Sequence, residues 1–241
     1  MKLKYLMLMF AMLSTGFASA GSFDTDTFKT KSNKEVIITF IKHGSLMLTY
    51  NKQSIQIDPV SEYADYSVFP KADAILITHE HGDHLDQKAI SILTKKGTSI
   101  VINESAQKKL GKGTVMKNGD KIKILGHITV EAVPAYNTTP GREMFHPRHR
   151  DNGYLLTIDG LRIYIAGDTE DILEMKELKN IDVAFLPVNQ PYTMTVPQAV
   201  HAAKMFMPKV LYPYHFGNTD VNKIKTELKG SSIDVRIRKM E

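Results

Sequence analysis

The chain contains no cysteine. That absence excludes a disulfide-stapled scaffold, iron–sulfur clusters, thiolate zinc sites and every mechanism that needs a thiol. Any metal must therefore be held by imidazole and carboxylate. A large charge excess is also missing: Lys plus Arg number 31 against 26 Asp plus Glu, a formal net charge of +5 in 241 residues. Lys2 and Lys4 fall in a segment read below as removed, which leaves 29 against 26. No basic run or aromatic–basic stripe accompanies this surplus, so no nucleic-acid partner is expected. No linker, low-complexity stretch or short-period repeat interrupts the chain. The rest is ordinary. With 42% hydrophobic and 24% charged residues, the composition excludes wholesale disorder and a polytopic membrane protein, and the length suffices for one sizeable core.

Residues 1–20 read as an address. Lys2 and Lys4 give a positive start, Tyr5 to Leu13 an apolar stretch, and Ala18-Ser19-Ala20 the small-x-small pattern of a signal-peptidase site. The apolar run is shorter than the roughly 20 residues a bilayer span needs. The expectation is a secretory signal peptide cut after Ala20, no stable membrane insertion afterwards, and one domain over 21–241 working in the periplasm or outside the cell.

Short apolar runs separated by turn residues follow. Val36–Ile41, Ser45–Tyr50 and Ser54–Ile57 predict consecutive strands, joined at His43-Gly44 and Asn51-Lys52. Ala74–Thr78 is apolar nearly throughout, as a strand covered on both faces would be. Gln87–Lys95 has helical spacing and stops before Gly97. Ser99–Ile102, Lys121–Leu125 and Ile128–Val133 continue the strands. Tyr154–Ile158 and Leu161–Ala166, joined by an Asp159-Gly160 hairpin turn, begin a second set, with Val183–Leu186 and Val210–Tyr212 after them. Pro197–Phe206 and Val221–Leu228 predict late helices. Two runs of strands, each closed by helices, predict an α/β domain of two face-to-face sheets with helices outside.

The chemistry is concentrated in Thr78-His79-Glu80-His81-Gly82-Asp83-His84, directly after a buried strand. Alternate residues leaving a strand project to one side, so His79 and His81 can converge on one cation while Glu80 points away. Gly82 permits a sharp turn that brings Asp83 and His84 towards a second position. Imidazole and carboxylate are the ligands zinc takes where thiolate is absent. Four weaker signals accompany this run: Gly167-Asp168-Thr169 after one strand, Tyr214-His215-Phe216-Gly217 after another, His43 at the first hairpin, and a polar loop carrying Tyr136, Asn137 and His146. His127 and His201 carry no such context.

HEHGDH at His79–His84, GDT at Gly167–Thr169 and the late His215 together resemble the metallo-β-lactamase superfamily, over nearly all the chain from about Glu35. Lys42–Val60, RIYIAGDTEDI, FLPVNQPYTM and VLYPYHFG are similar to the branch that includes L-ascorbate-6-phosphate lactonase and the N-acyl-phosphatidylethanolamine phospholipase D type. The resemblance implies a four-layer αββα sandwich with a dinuclear site at one edge of the sheets. It implies His79, His81 and a third His on one metal, Asp83, His84 and His215 on the second, and Asp168 bridging them. The family places its third His near Asn137; here His146 follows nine residues later and is taken as that ligand, with His149 and Asn137 as alternatives.

The implied function is a metal-dependent hydrolase with two divalent ions, zinc first and manganese or iron as alternatives, whose shared hydroxide attacks a small ester, lactone or phosphodiester. Asp83 would orient the nucleophile or pass its proton on, and His43 would hydrogen-bond the small-molecule substrate. Asp58 would hold a metal-bound imidazole from behind, and Tyr136, Arg142 and Tyr192 are candidate substrate contacts. A bridging Asp168 speaks against a true β-lactamase, and the signal peptide against RNA processing or a cytoplasmic lactonase. Two other classes stay open: a metal-binding or redox protein, and a non-catalytic binding protein with a degenerate site.

Overall fold

The apolar runs pair into two seven-stranded sheets in the computed structural model, which describes residues 23–241. The first sheet consists of β1 (Thr25–Lys29), β2 (Glu35–Lys42), β3 (Ser45–Tyr50), β4 (Gln53–Ile57), β5 (Ala74–Ile77), β6 (Ser99–Ile102) and β7 (Thr114–Val115), in that order. The second consists of β8 (Lys121–Ile124), β9 (Ile128–Ala135), β10 (Asp151–Ile158), β11 (Leu161–Ile165), β12 (Val183–Pro187), β13 (Val210–Tyr214) and β14 (Asp234–Val235), again in chain order. Each sheet repeats one pattern, three antiparallel pairings followed by three parallel ones. Parallel neighbours need crossovers. These are made by α1 (Gln87–Leu93) and α2 (Glu104–Leu110) in the first half, α3 (Val196–Phe206) and α4 (Asn222–Glu227) in the second, and a 3₁₀ turn in each.

Side-chain alternation explains the layers. In β5, Ala74 and Leu76 face the core between the sheets, while Ile75 and Ile77 face Ala89, Ile90 and Leu93 of α1. In β12, Val183 and Phe185 point inward, and Ala184 and Leu186 meet Ala199, Ala203 and Phe206 of α3. Fully burying one such large apolar side chain is worth about 1.5–3 kcal/mol, so strands covered on both faces are apolar throughout. At the centre Phe185 stacks on Tyr212 with ring centroids 5.1 Å apart, and Phe40 lies 4.8 Å from the same ring. The result is the expected α/β sandwich, helices outside two central sheets.

All three expected hairpin turns form, the first at His43-Gly44. Asn51 and Lys52 have φ of 48° and 63°, and Asp159 and Gly160 have 45° and 81°, the left-handed pairs that match the strand twist. The sequence reading missed β1, α2, β7 and β14. In β1 the pattern TDTFK leaves alternate residues exposed and offers one apolar side chain, Phe28. In α2 only Ala106 is buried, so no apolar stripe marks it; Asn103 caps its start and Gly111, at φ 76°, its end. Helix α1 stops at Leu93, two residues short of the expected end, because Thr94 leaves the helix with ψ 136°. The segment read as a signal peptide lies outside the described residues. Among the described residues no helix is long and apolar enough to cross a membrane.

Candidate metal centre

Strands of both sheets end along one edge, and the residues that leave them supply the site. Asp58 follows β4, Thr78 to His84 follow β5, Asp168 follows β11, and His215 follows β13. His43 sits in the turn between β2 and β3, and His146 in the loop between β9 and β10. The crevice beyond the carboxyl ends of strands is where sheets of this kind gather ligands.

Two groups stand side by side there, and a third, His79, His84 and Asp168, joins them. His79, His81 and His146 each offer a ligand atom within 4.8 Å of the others, and so do His43, Asp83, His84 and His215. The alternation predicted for His79 and His81 is found, and Glu80 turns away to Ser105 Oγ at 2.6 Å and Arg150 at 3.2 Å. Asp168 stands between the groups. Its Oδ2 is 3.4 Å from His146 Nε2, 3.3 Å from His215 Nε2 and 3.9 Å from His79 Nε2, and its Oδ1 is 3.4 Å from His84 Nε2.

His79, His84, His146, His215 and Asp168 are buried, while His81 and Asp83 reach solvent. The Nε2 atoms of His79, His84 and His215 and Oδ1 of Asp168 are buried without a hydrogen-bond partner in the protein. A buried polar atom left unpaired costs about 1–3 kcal/mol. Several imidazole nitrogens and a carboxylate converging in this way are the donor set a divalent cation takes. The residues fit a metal.

A second ring of bonds holds these side chains. His84 Nδ1 lies 2.9 Å from Asp58 Oδ2, and Asp58 also accepts from the Thr78 backbone N–H at 2.8 Å and its hydroxyl at 2.6 Å. His146 Nδ1 lies 2.9 Å from Asp151 Oδ2, and Arg150 donates to Asp151 at 2.8 Å. Bonding at Nδ1 fixes each tautomer and turns Nε2 to the centre. Gly44 brings the first hairpin against His84; a Cβ there would meet His84 Cε1 at 2.8 Å. His43, Asp58 and His215 all have left-handed backbone, at φ 55°, 42° and 47°. Such conformations are strained outside glycine and are found where surroundings enforce them.

The electrostatics are polarised. Burial and the adjacent His84, His146 and His81 hold His79 far below the usual histidine range. Burial, with His146 and Arg150, also lowers His81. For His84, burial opposes protonation but Asp168, Asp58 and Asp83 push it up to about 10. Burial opposes ionisation of Asp83, yet His215, His43 and His84 hold it well below the carboxylate range. Asp168 is lowered in the same way, against its burial, by His215, His84 and His146.

The other sequence candidates divide. His149 is exposed in a surface hollow with Glu104, Lys117 and Arg150, outside both groups. Asn137 directs its side-chain amide to the carbonyls of Arg142 and Tyr192, at 3.2 and 2.7 Å. Tyr136 is buried, with the Arg148 guanidinium 4.5 Å over its ring, and its hydroxyl donates to Glu174 at 2.8 Å. Arg142 sits 3.7 Å from the buried Glu170, and Tyr192 stays exposed, edge-on to Phe145 at 5.0 Å. His127 and His201 are exposed and outside both groups, His201 bonded to Asp171 at 2.6 Å.

Three acids escaped the sequence reading. Asp151 opens β10 and so is aimed at His146, which a strand boundary placed there would have signalled. Glu170 is buried and accepts the Thr138 and Thr139 backbone N–H groups at 2.7 Å each, anchoring the loop that carries His146. Glu241 reaches His43 Nδ1 from 198 residues away, at 3.3 Å, and no local pattern marks it.

Comparison with known proteins agrees with this geometry. Residues 37–215 match the model of the beta-lactamase superfamily domain. A metal-dependent hydrolase of Archaeoglobus fulgidus is 30% identical over 219 residues, covering 83% of this chain and 94% of that protein. A crystal structure from Parabacteroides distasonis, described as a candidate metal-dependent hydrolase, is 69% identical with a TM-score of 0.90, covering 91% of this chain and 100% of that one. The metallo hydrolase Igni18 of Ignicoccus hospitalis is 26% identical with a TM-score of 0.71, covering 84% and 94%. With its two-sheet fold, its edge of histidines and acids and these relatives, the chain belongs to the metallo-β-lactamase superfamily, among its metal-dependent hydrolases.

Proposed function

We propose that this hydrolase holds two divalent metal ions side by side and cleaves small esters, lactones or phosphodiesters outside the cytoplasm. His79, His81 and His146 would hold one ion, Asp83, His84 and His215 the other, and Asp168 would be shared. The observation that carries the reading is the position of Asp168, whose two oxygens lie 3.3–3.9 Å from the Nε2 atoms of four histidines drawn from both groups. A lone metal site has no use for a carboxylate placed so. Zinc suits the nitrogen and oxygen donors, and manganese and iron accept the same set.

Two ions held there would supply Lewis acidity, making a water more acidic and polarising the substrate oxygen on which charge gathers. The protein's own groups do the rest. Asp83, the more exposed carboxylate, places Oδ2 3.4 Å from His215 Nε2 and 3.3 Å from His43 Nε2. It is the oxygen in position to take a proton from an attacking water and return it to a leaving group. His43 keeps its ring at the rim, where Nε2 can hydrogen-bond substrate. The buried imidazoles around Asp168 keep bulk water from the centre.

Export is supported by Lys2 and Lys4, the apolar Tyr5–Leu13 stretch and Ala18-Ser19-Ala20. The mass of protein recovered from the periplasm tests this; the expected chain starts at Gly21. Turnover of bis(p-nitrophenyl) phosphate and a lactone panel by zinc-, manganese- and iron-loaded protein tests the chemistry. The expected result is turnover by the wild type and its loss in His146→Ala. A metal-loaded wild type without turnover on any ester, lactone or phosphodiester would favour the storage, redox or binding-pocket roles instead.

A further inference from the structure

We infer that Glu241 is a positioning residue for the hydrolytic site, clamping the His43 and His215 turns so that His43 Nε2 faces Asp83. The inference rests on the hydrolytic reading above.

Both Glu241 carboxylate oxygens lie 3.3 Å from His43 Nδ1, and Oε1 also accepts the Phe216 backbone N–H at 2.8 Å. One side chain thus ties the residue after His215 to the ring of His43. The two turns touch elsewhere: the His215 N–H donates to the His43 carbonyl at 3.2 Å, and the two rings lie 3.6 Å apart between centroids. Both turns have left-handed backbone, which persists only where surrounding contacts enforce it. Glu241 supplies one of those contacts from outside either turn. On the far side of the ring, His43 Nε2 is 3.3 Å from Asp83 Oδ2, and Tyr63 covers the ring at 5.5 Å. With Nδ1–H given to Glu241, the ring cannot flip without losing both contacts, and Nε2 is left for the reacting edge.

The side chain of Glu241 can be altered without losing its backbone anchor. Met240 is buried in the core between the sheets, and its carbonyl accepts the His43 backbone N–H. Arg238 pairs with Asp26 at 2.6 Å, and the Lys239 N–H donates to Asp24 at 3.0 Å. Truncation at Glu241 therefore removes the clamp and leaves the segment in place.

The test uses the full metal-loaded chain with Glu241→Ala and Glu241→Gln. Three quantities are read: metal content, kcat and KM for bis(p-nitrophenyl) phosphate, and the His43 imidazole nitrogen signals by NMR. Metal content should be unchanged. In Glu241→Ala kcat should fall about 10-fold or more with KM changed far less, since groups that orient site histidines typically matter on that scale. Glu241→Gln keeps an oxygen for Nδ1–H and should recover most of the rate. In Glu241→Ala the His43 Nδ1–H signal should lose its protection from solvent exchange. An alanine variant with wild-type kcat, or with an unchanged Nδ1–H signal, overturns the inference, and so does equal loss in both variants. If the wild type shows no turnover, the hydrolytic reading fails on its own account, and the NMR signal still decides whether Glu241 holds the ring.

Discussion

Asn137 donates its backbone N–H to the carbonyl of His146 at 2.8 Å, closing the loop after β9 on itself. Nine residues of sequence separate the two, yet the turn sets them side by side. From there the His146 ring joins His79 and His81, while the Asn137 amide turns to the Arg142 and Tyr192 carbonyls. Glu170 pins the start of that loop, and Asp151 receives His146 Nδ1 at its end.

Asp151 should accordingly govern metal affinity. Replacing it with Asn keeps the shape but removes the charge that orients His146. Affinity at the His79–His81–His146 group should fall about 10- to 100-fold. Competition against a chromophoric chelator measures this directly, and unchanged affinity would mean that the His146 ring needs no such support.

Gly44 should not tolerate a side chain. Its Cβ would meet His84 Cε1 at 2.8 Å, and His84 is fixed from behind by Asp58. Gly44→Ala should destabilise the fold by about 1–3 kcal/mol, the usual cost of overpacking. Urea unfolding of the metal-free protein reads that cost.

Much of this was legible in the sequence, for physical reasons that also mark the limits. The run after β5 could be read because period-two alternation places His79 and His81 together whatever the rest of the chain does. The Asn51-Lys52 and Asp159-Gly160 turns were legible because tight hairpins demand left-handed residues. Polar edge strands such as β1 were not, since they bury too little to leave a pattern. Tyr136 could be placed in a loop but not given its partners, since Arg148 and Glu174 meet it only in the folded chain. Glu241 acts across 198 residues, a contact made only by the folded sheets.

Asp26 should give stability a pH dependence away from the metal centre. Burial raises it, but hydrogen bonds from Arg238 and Tyr212 prevail and hold its carboxyl below the usual value. A folded-state value below the unfolded one means that the contribution is present above the ordinary aspartate pKa of about 3.9 and lost as pH falls through the folded value. In metal-free protein, wild type should have a higher urea midpoint than Asp26→Asn near neutral pH, and the gap should close in acid. A gap that widened on acidification would contradict the assignment.

Phe185 should carry a large share of the inter-sheet core. It lies against Tyr212 at 5.1 Å, Tyr214 at 5.7 Å and Phe40 at 6.1 Å, fully buried. Phe185→Ala should cost about 3–5 kcal/mol, measurable as a shift in the denaturant midpoint at unchanged slope.

The most direct test of the central claim is the metal content per chain of wild type, Asp168→Ala and His146→Ala after loading with zinc and removal of the excess. If Asp168 is shared by two ions, the wild type carries two, His146→Ala retains the ion of the Asp83–His84–His215 group, and Asp168→Ala weakens both. A wild type that saturates with one ion, or an Asp168→Ala protein that binds two as tightly as wild type, would contradict the shared site.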